Sequence, residues 1–279
     1  MVDLHLHSTF SDGSLTPEQL VELAESVGLT AVALTDHDTT AGNPALVRAA
    51  SGRPLRAVPG VEISVDFSPG TMHVLAYCLD AVNQGLEDAL ERIRGGRADR
   101  NGRILQRLND LGIGLTMADV ATHAGDGVVG RPHFAQAMVD KGYVRSTREA
   151  FDLYLAKGKP AYEDRLRLGP AEAMSLIRES AGVPVLAHPF TISYGPVELE
   201  KCVAELREMG LQGIEAYYSE HTRQQEKQYL ALAEKYRLVP TGGSDFHGAM
   251  NPDIRMGIGF GSLKVPDESV DLLYERVRH

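Results

Sequence analysis

Apolar and polar positions alternate at the start of the chain and give way to a turn at Ser11-Asp12-Gly13, the pattern of a short strand from Asp3 to His7 entering a loop. Ser14-Leu15-Thr16-Pro17-Glu18-Gln19 then reads as a helix start, with Thr16 as N-cap, Pro17 at the first position and Gln19 placed for a capping box. That helix runs from Pro17 to about Val27 and stops at Gly28. Ala31 to Asp38 is a short buried strand whose polar residues crowd its C-terminal end, so the chain opens with a β-α-β unit. A helix from Asn43 to Ala50 leads to a strand over Leu55–Ser64, and Met72–Cys78 supplies a fourth.

From Asn83 the texture changes. Leu86–Leu111, Thr116–His123, His133–Lys141 and Thr147–Leu155 are helical in period, with Gly-containing turns between them and no buried strand. Strand and helix alternate again afterwards: helix Pro170–Ser180, strand Val183–His188, helix Pro196–Met209, strand Gly213–Tyr218, helix Thr222–Tyr236 and strand Leu238–Thr241, which flows into Gly242-Gly243-Ser244-Asp245-Phe246-His247. Seven strands, most followed by a helix, predict an α/β fold, either a barrel or a doubly wound sheet. Residues 1–82 and 160–279 are expected to form it, with 83–159 as an inserted helical lobe.

Composition narrows the class. Of 279 residues 43% are hydrophobic and 24% charged, as in an ordinary globular protein, and no apolar run approaches the roughly 20 residues that span a bilayer. The net charge of −10 argues against a broad surface for coating nucleic acid or a membrane, while leaving room for a nucleotide in a locally cationic pocket. Cys78 and Cys202 lie in apolar contexts without a C-x-x-C pair, so no disulfide framework is expected. With no basic and apolar leader pattern at its start, the chain is expected in the cytoplasm.

The histidines carry the chemistry. A lone H-x-H is usually a chance pair on a solvated strand. Here, however, six of the ten histidines, His5, His7, His37, His73, His188 and His247, lie on or just beyond strands, five of them near C-terminal ends. Asp12, Glu62 and Asp245 occupy comparable positions. In a parallel barrel such ends converge on one face, where catalytic groups gather. Nitrogen and oxygen donors without a thiolate suit divalent zinc, manganese or iron.

Taken in order, His5-Leu6-His7 with Asp12, Thr35-Asp36-His37-Asp38, Pro59-Gly60-Val61-Glu62-Ile63-Ser64, Ala187-His188-Pro189 and Gly243-Ser244-Asp245-Phe246-His247 resemble the motifs of the polymerase and histidinol phosphatase (PHP) family. The resemblance implies a distorted seven-stranded β/α (TIM-like) barrel, up to three divalent ions (Mn, Zn or Fe) and phosphoesterase activity. Carried over residue by residue, it implies one ion on His5, His7, Glu62 and Asp245, a second on Glu62, His73 and His188, and a third on Asp12, His37 and His247. Such ions lower the pKa of a water to supply hydroxide and withdraw charge from a phosphoryl oxygen, while a general acid or another ion stabilises the leaving alkoxide. Asp36 and Asp38 flank His37, and one of them either orients its ring or caps the turn.

The lobe holds cations in three stretches, Arg97–Arg103, Gly130–Ala135 and Lys157–Tyr162. They resemble the lobe motifs of the PHP subgroup that acts on nucleoside 3′,5′-bisphosphates, some members of which trim short RNA. This resemblance implies that Arg100, Arg103, Arg131 and Lys159 bind substrate phosphate and that His133 is a substrate contact or proton donor. His221, after the sixth strand, is a further candidate for the acid; His123 and His279 are expected at the surface. The expected activity is hydrolysis of the 3′-phosphate of a nucleoside 3′,5′-bisphosphate, on a small nucleotide or a short oligoribonucleotide, with no membrane and no obligate protein partner. Cyclic nucleotide phosphodiesterase and 5′-to-3′ exoribonuclease chemistries are the alternatives, and a non-catalytic metal-bound nucleotide sensor or polymerase-associated module is a third.

Overall fold

A computed structural model describes all residues except 80–82, 124–128, 165 and 278–279, so His279 lies outside the described residues. Seven strands, β1 Val2–Leu6, β2 Ala31–Leu34, β3 Arg56–Val65, β4 Met72–Tyr77, β5 Val183–Leu186, β6 Gly213–Tyr218 and β7 Val239–Gly243, form one sheet in chain order. The segment just past β7 returns to β1: Asp245 N–H donates to His5 O at 2.9 Å and His7 N–H to Phe246 O at 3.0 Å, so the sheet nearly closes into a barrel. Neighbouring strands are parallel except that β4 runs antiparallel to both β3 and β5.

The strands are flanked by α1 Pro17–Ser26, α2 Asn43–Ala50, α7 Pro170–Glu179, α8 Pro196–Glu208 and α9 Arg223–Tyr236. Thr16 and Gln19 form the reciprocal capping pair at the start of α1, as their spacing requires. One face of the strands, Val2, Leu4, Ala31, Ala33, Leu75, Tyr77, Val183 and Val185, packs into an interior cluster, while Leu6, Val32 and Leu34 pack outward against Leu20, Val21 and Leu46 of α1 and α2. Leu4 and Leu6 share parity yet lie on opposite sides because the β1–β2 register slips between Asp3 and Leu6. A helix absent from the sequence reading, Glu268–Val277, adds Val270 and Leu273 to the interior cluster.

The chain divides into two compact units, Met1–Leu90 with Arg167–His279, and Glu91–Leu166. The edges of the second lie several residues beyond the expected 83 and 159. It contains most of α3 (Gln84–Asp110), then α4 (Met117–Ala121), α5 (Arg131–Asp140) and α6 (Thr147–Ala150), which continues as a π-helical turn over Phe151–Leu155. Its core is Ile104, Leu108, Val120, Phe134, Met138, Ala150 and Leu155. Among the described residues no helix is long and apolar enough to cross a membrane.

Candidate metal centre

Glu62, on β3 and 1% exposed, is the hub of the site. Its Oε2 lies 3.1 Å from His5 Nε2, 3.3 Å from His7 Nε2 and 3.2 Å from His37 Nδ1, and its Oε1 lies 2.5 Å from His73 Nδ1 and 2.9 Å from His188 Nε2. Asp245 Oδ1 adds contacts of 3.3 Å to His5 Nε2 and 3.1 Å to His7 Nε2. Asp12 meets His247 Nε2 at 3.2 Å, His7 Nδ1 at 3.5 Å and His37 Nε2 at 3.7 Å. His73 occurs near the start of β4, and only the reversed direction of that strand, which pairs His73 with Ser64, brings it to the end where the others gather.

Three groups of side chains could each hold an ion: His5, His7, Glu62 and Asp245; His7, Asp12, His37 and His247; and His37, Glu62 and His73. The second contains the set Asp12, His37 and His247 with His7 added. His188 falls in none of them but touches the same Glu62 oxygen as His73. The donors fit such ions: His7 Nε2, His37 Nδ1 and Asp245 Oδ1 are buried atoms without a hydrogen-bond partner, and they face one another or Glu62.

The electrostatics agree. Burial alone would push the Glu62 carboxyl up, but His37, His73 and His5 outweigh it and hold it well below the usual range; Asp245 is depressed in the same way by His5 and His7. Burial opposes a proton on His7, yet the close approach of its ring to the Asp245 and Glu62 carboxylates, with the charge of Asp12 nearby, lifts it to about 10. His37 falls to about 4, chiefly through burial, which its acidic neighbours do not offset. Protons on some imidazoles thus balance the buried carboxylates, a role that divalent cations can take over.

Residues 3–91 match the PHP domain family. The chain is 32% identical over 255 residues to the 3′,5′-nucleoside bisphosphate phosphatase of Chromobacterium violaceum, covering 88% of this chain and 87% of that protein. The chain belongs to the PHP family. It is a metal-dependent phosphoric ester hydrolase. It is also 33% identical over 247 residues to the 5′-3′ exoribonuclease Rnm of Salmonella typhimurium, over 88% of this chain and 84% of the relative. Among solved structures, a candidate metal-dependent phosphoesterase from Bifidobacterium adolescentis superposes with a TM-score of 0.81 at 29% identity, covering 99% of this chain and 96% of that one.

Around the PHP centre lies a layer of acidic residues that reach it indirectly. Asp36 takes the Ser8 N–H at 2.7 Å, the Ser8 hydroxyl at 2.6 Å and the Ser11 hydroxyl at 2.6 Å, so it clamps the loop that carries Asp12; of its two expected roles, the turn-holding one matches these bonds. Asp38, at φ 53, accepts the Ser64 N–H at 3.0 Å. Asp3 takes Ser244 N–H at 2.8 Å, the Ser244 hydroxyl at 2.5 Å and Gly257 N–H at 2.7 Å, which ties β1 to the loop bearing Asp245. Burial pushes the Asp3 carboxyl up to about 6 against those donors.

Two residues on β6 escaped the sequence reading. Glu215 accepts from His5 Nδ1 at 3.0 Å, and the Tyr218 hydroxyl donates to Asp245 Oδ2 at 2.7 Å. A regular strand would send residues 215 and 218 to opposite faces, but the β6–β7 register slips between Glu215 and Tyr217. A carboxylate inside the apolar run Gly213–Tyr218 was the available signal.

The remaining sequence candidates fall elsewhere. His221 donates through Nδ1 to Ala216 O at 2.9 Å and packs its ring among Phe190, Tyr218 and Tyr229; its Nε2 is buried and burial lowers its pKa. In the second unit the three cationic stretches come together. The Arg131 guanidinium lies 4.9 Å from the Tyr162 ring centre, and the adjacent Glu163 pairs with Arg103 at 3.2 Å and with Arg107. Arg107 also reaches Pro160 O at 3.3 Å, beside exposed Lys159, while Arg100 is buried on α3. His133 Nδ1 accepts the Gly130 N–H at 3.0 Å, so the neutral ring carries its proton on Nε2. His123 is partly exposed, 3.3 Å from Asp140.

Proposed function

We propose that this PHP enzyme hydrolyses the 3′-phosphate of a nucleoside 3′,5′-bisphosphate, releasing phosphate and a 5′-nucleotide. The observation that carries the reading is the convergence of Arg103, Arg131 and the Lys159–Glu163 segment within one small unit of an otherwise acidic protein. Guanidinium groups grip phosphate oxygens in pairs, which suits a second phosphate held apart from the reacting one. The similarity to a bisphosphate phosphatase over 88% of the chain supports the same substrate class.

Bound divalent ions on His5, His7, Glu62 and Asp245, on Glu62, His73 and His188, and on Asp12, His37 and His247 would supply an activated water and Lewis-acid stabilisation of the phosphoryl oxygens. The chain's own contribution is to orient. Arg131, stacked on Tyr162, offers a fixed planar fork to a phosphate; Arg100, Arg103 and Lys159 add positive charge; and His133 presents the Nε2 proton to substrate. An exoribonuclease acting on short RNA is the second reading, favoured by the similarity to Rnm. A substrate panel with manganese decides between them: phosphate release from the bisphosphate is expected, whereas turnover confined to oligoribonucleotides or cyclic esters would exclude the first reading.

A further inference from the structure

Strand β6 supplies none of the nine candidate ligands, yet it buries Glu215 completely against two of them. One oxygen lies 3.0 Å from His5 Nδ1. The other accepts the backbone N–H of His188 at 2.7 Å. His188 needs such a hold, because its backbone sits at φ 24, ψ 69, a region that non-glycine residues rarely occupy. Its ring meanwhile reaches Glu62 Oε1 through Nε2 at 2.9 Å.

We infer that Glu215 is a positioning residue of the metal centre that serves two ligands from two strands at once. An acceptor at Nδ1 keeps the proton of neutral His5 on that nitrogen, so that Nε2, which faces Glu62 and Asp245, retains its lone pair. The second oxygen holds the left-handed backbone that aims the His188 ring. Both partners are donors, so the site requires two acceptors. A glutamine has only one oxygen: turned to His188, its NH2 group meets His5 Nδ1 and drives the imidazole proton to Nε2; turned to His5, it abandons the His188 N–H.

The inference rests on His5 and His188 being ligands and is independent of which phosphate ester is the substrate. The full chain is stripped of metal and reloaded with zinc as wild type, Glu215→Gln, Glu215→Asp and His5→Ala. Ions per chain are counted by mass spectrometry, affinities are read by chelator competition, and imidazole tautomers are read by 15N NMR. Glu215→Gln is expected to keep a cooperative melt without metal, to lose about ten- to a hundredfold in affinity for the His5 and His188 ions, and to retain the ion of Asp12, His37 and His247. Its His5 signal should report a proton on Nε2 in the metal-free state at high pH. If that variant does not fold, Glu215→Asp, with both oxygens on a shorter arm, carries the same comparison. Wild-type stoichiometry and affinity in the folded variant, with an unchanged His5 tautomer, would overturn the inference. So would wild-type loading of His5→Ala, which removes the ligand assignment and leaves the bisphosphate reading to its own assay.

Discussion

At the residue scale, the centre sets buried carboxylates and imidazoles in competition for protons and cations. Glu62 and Asp245 stay ionised because imidazoles surround them, and they hold a proton on His7 up to about pH 10. A liganded nitrogen must be free of its proton, so loading metal-free protein at about pH 7 should release protons, and apparent affinity should rise with pH, by roughly tenfold per unit for each proton displaced. Over the range between the ordinary histidine value and about 10 the sign is fixed, since raising pH removes the competing proton. His37, lowered to about 4, is already neutral there and contributes nothing to the release. Calorimetric titration in buffers of different ionisation enthalpy measures the proton count, and an affinity flat across that range would contradict the coupling. The candidate ligands could be named from residue types placed at strand ends, and holding a turn was one of two readings for Asp36 or Asp38. The partners of Asp36 and the place of Glu215 were not legible, because a carboxylate's partners lie far away in the chain: Ser8 and Ser11 for one, His5 and the His188 N–H for the other.

At the scale of elements, two register slips and one reversed strand build the site. The slip in β1 lets Leu4 pack inside while its neighbour His5 reaches Glu62, and the slip in β6 turns Glu215 and Tyr218 to one side. Gly243 closes the barrel against β1: a Cβ there would overlap His5 N, Cα and Cβ. Gly243→Ala should therefore cost about 1–3 kcal/mol or more in the metal-free protein, read as a lowered denaturation midpoint, together with weakened binding at the His5 group. An unchanged midpoint would mean that β7 can move away freely. The strands themselves followed from their hydrophobic pattern to within a few residues. The direction of β4 was not part of that expectation; it runs antiparallel to β3, and the six residues Asp66–Thr71 between them are too few for a crossover helix. The slips had no such signal, because one extra residue in a short strand leaves its composition unchanged.

At the scale of the whole molecule, the candidate metal donors and the cations proposed to bind substrate phosphate belong to different stretches of chain. If the second unit's cations bind phosphate, Arg131→Ala should raise KM for the bisphosphate about ten- to a hundredfold while leaving metal content unchanged; steady-state kinetics with metal analysis checks this, and a loss confined to kcat would argue against a binding role. By itself the sequence determined the α/β class, the strand ends on which candidate donors sit and the stretches that hold the cations, because periodicity, caps and turn residues act locally. Only the tertiary structure decided that Glu62 is shared among five imidazoles, that His73 joins them through a reversed strand, and that buried Glu215 meets both His5 Nδ1 and the His188 N–H. The physical reason is that burial and pairing of charge depend on distances across the fold, which a local pattern does not encode.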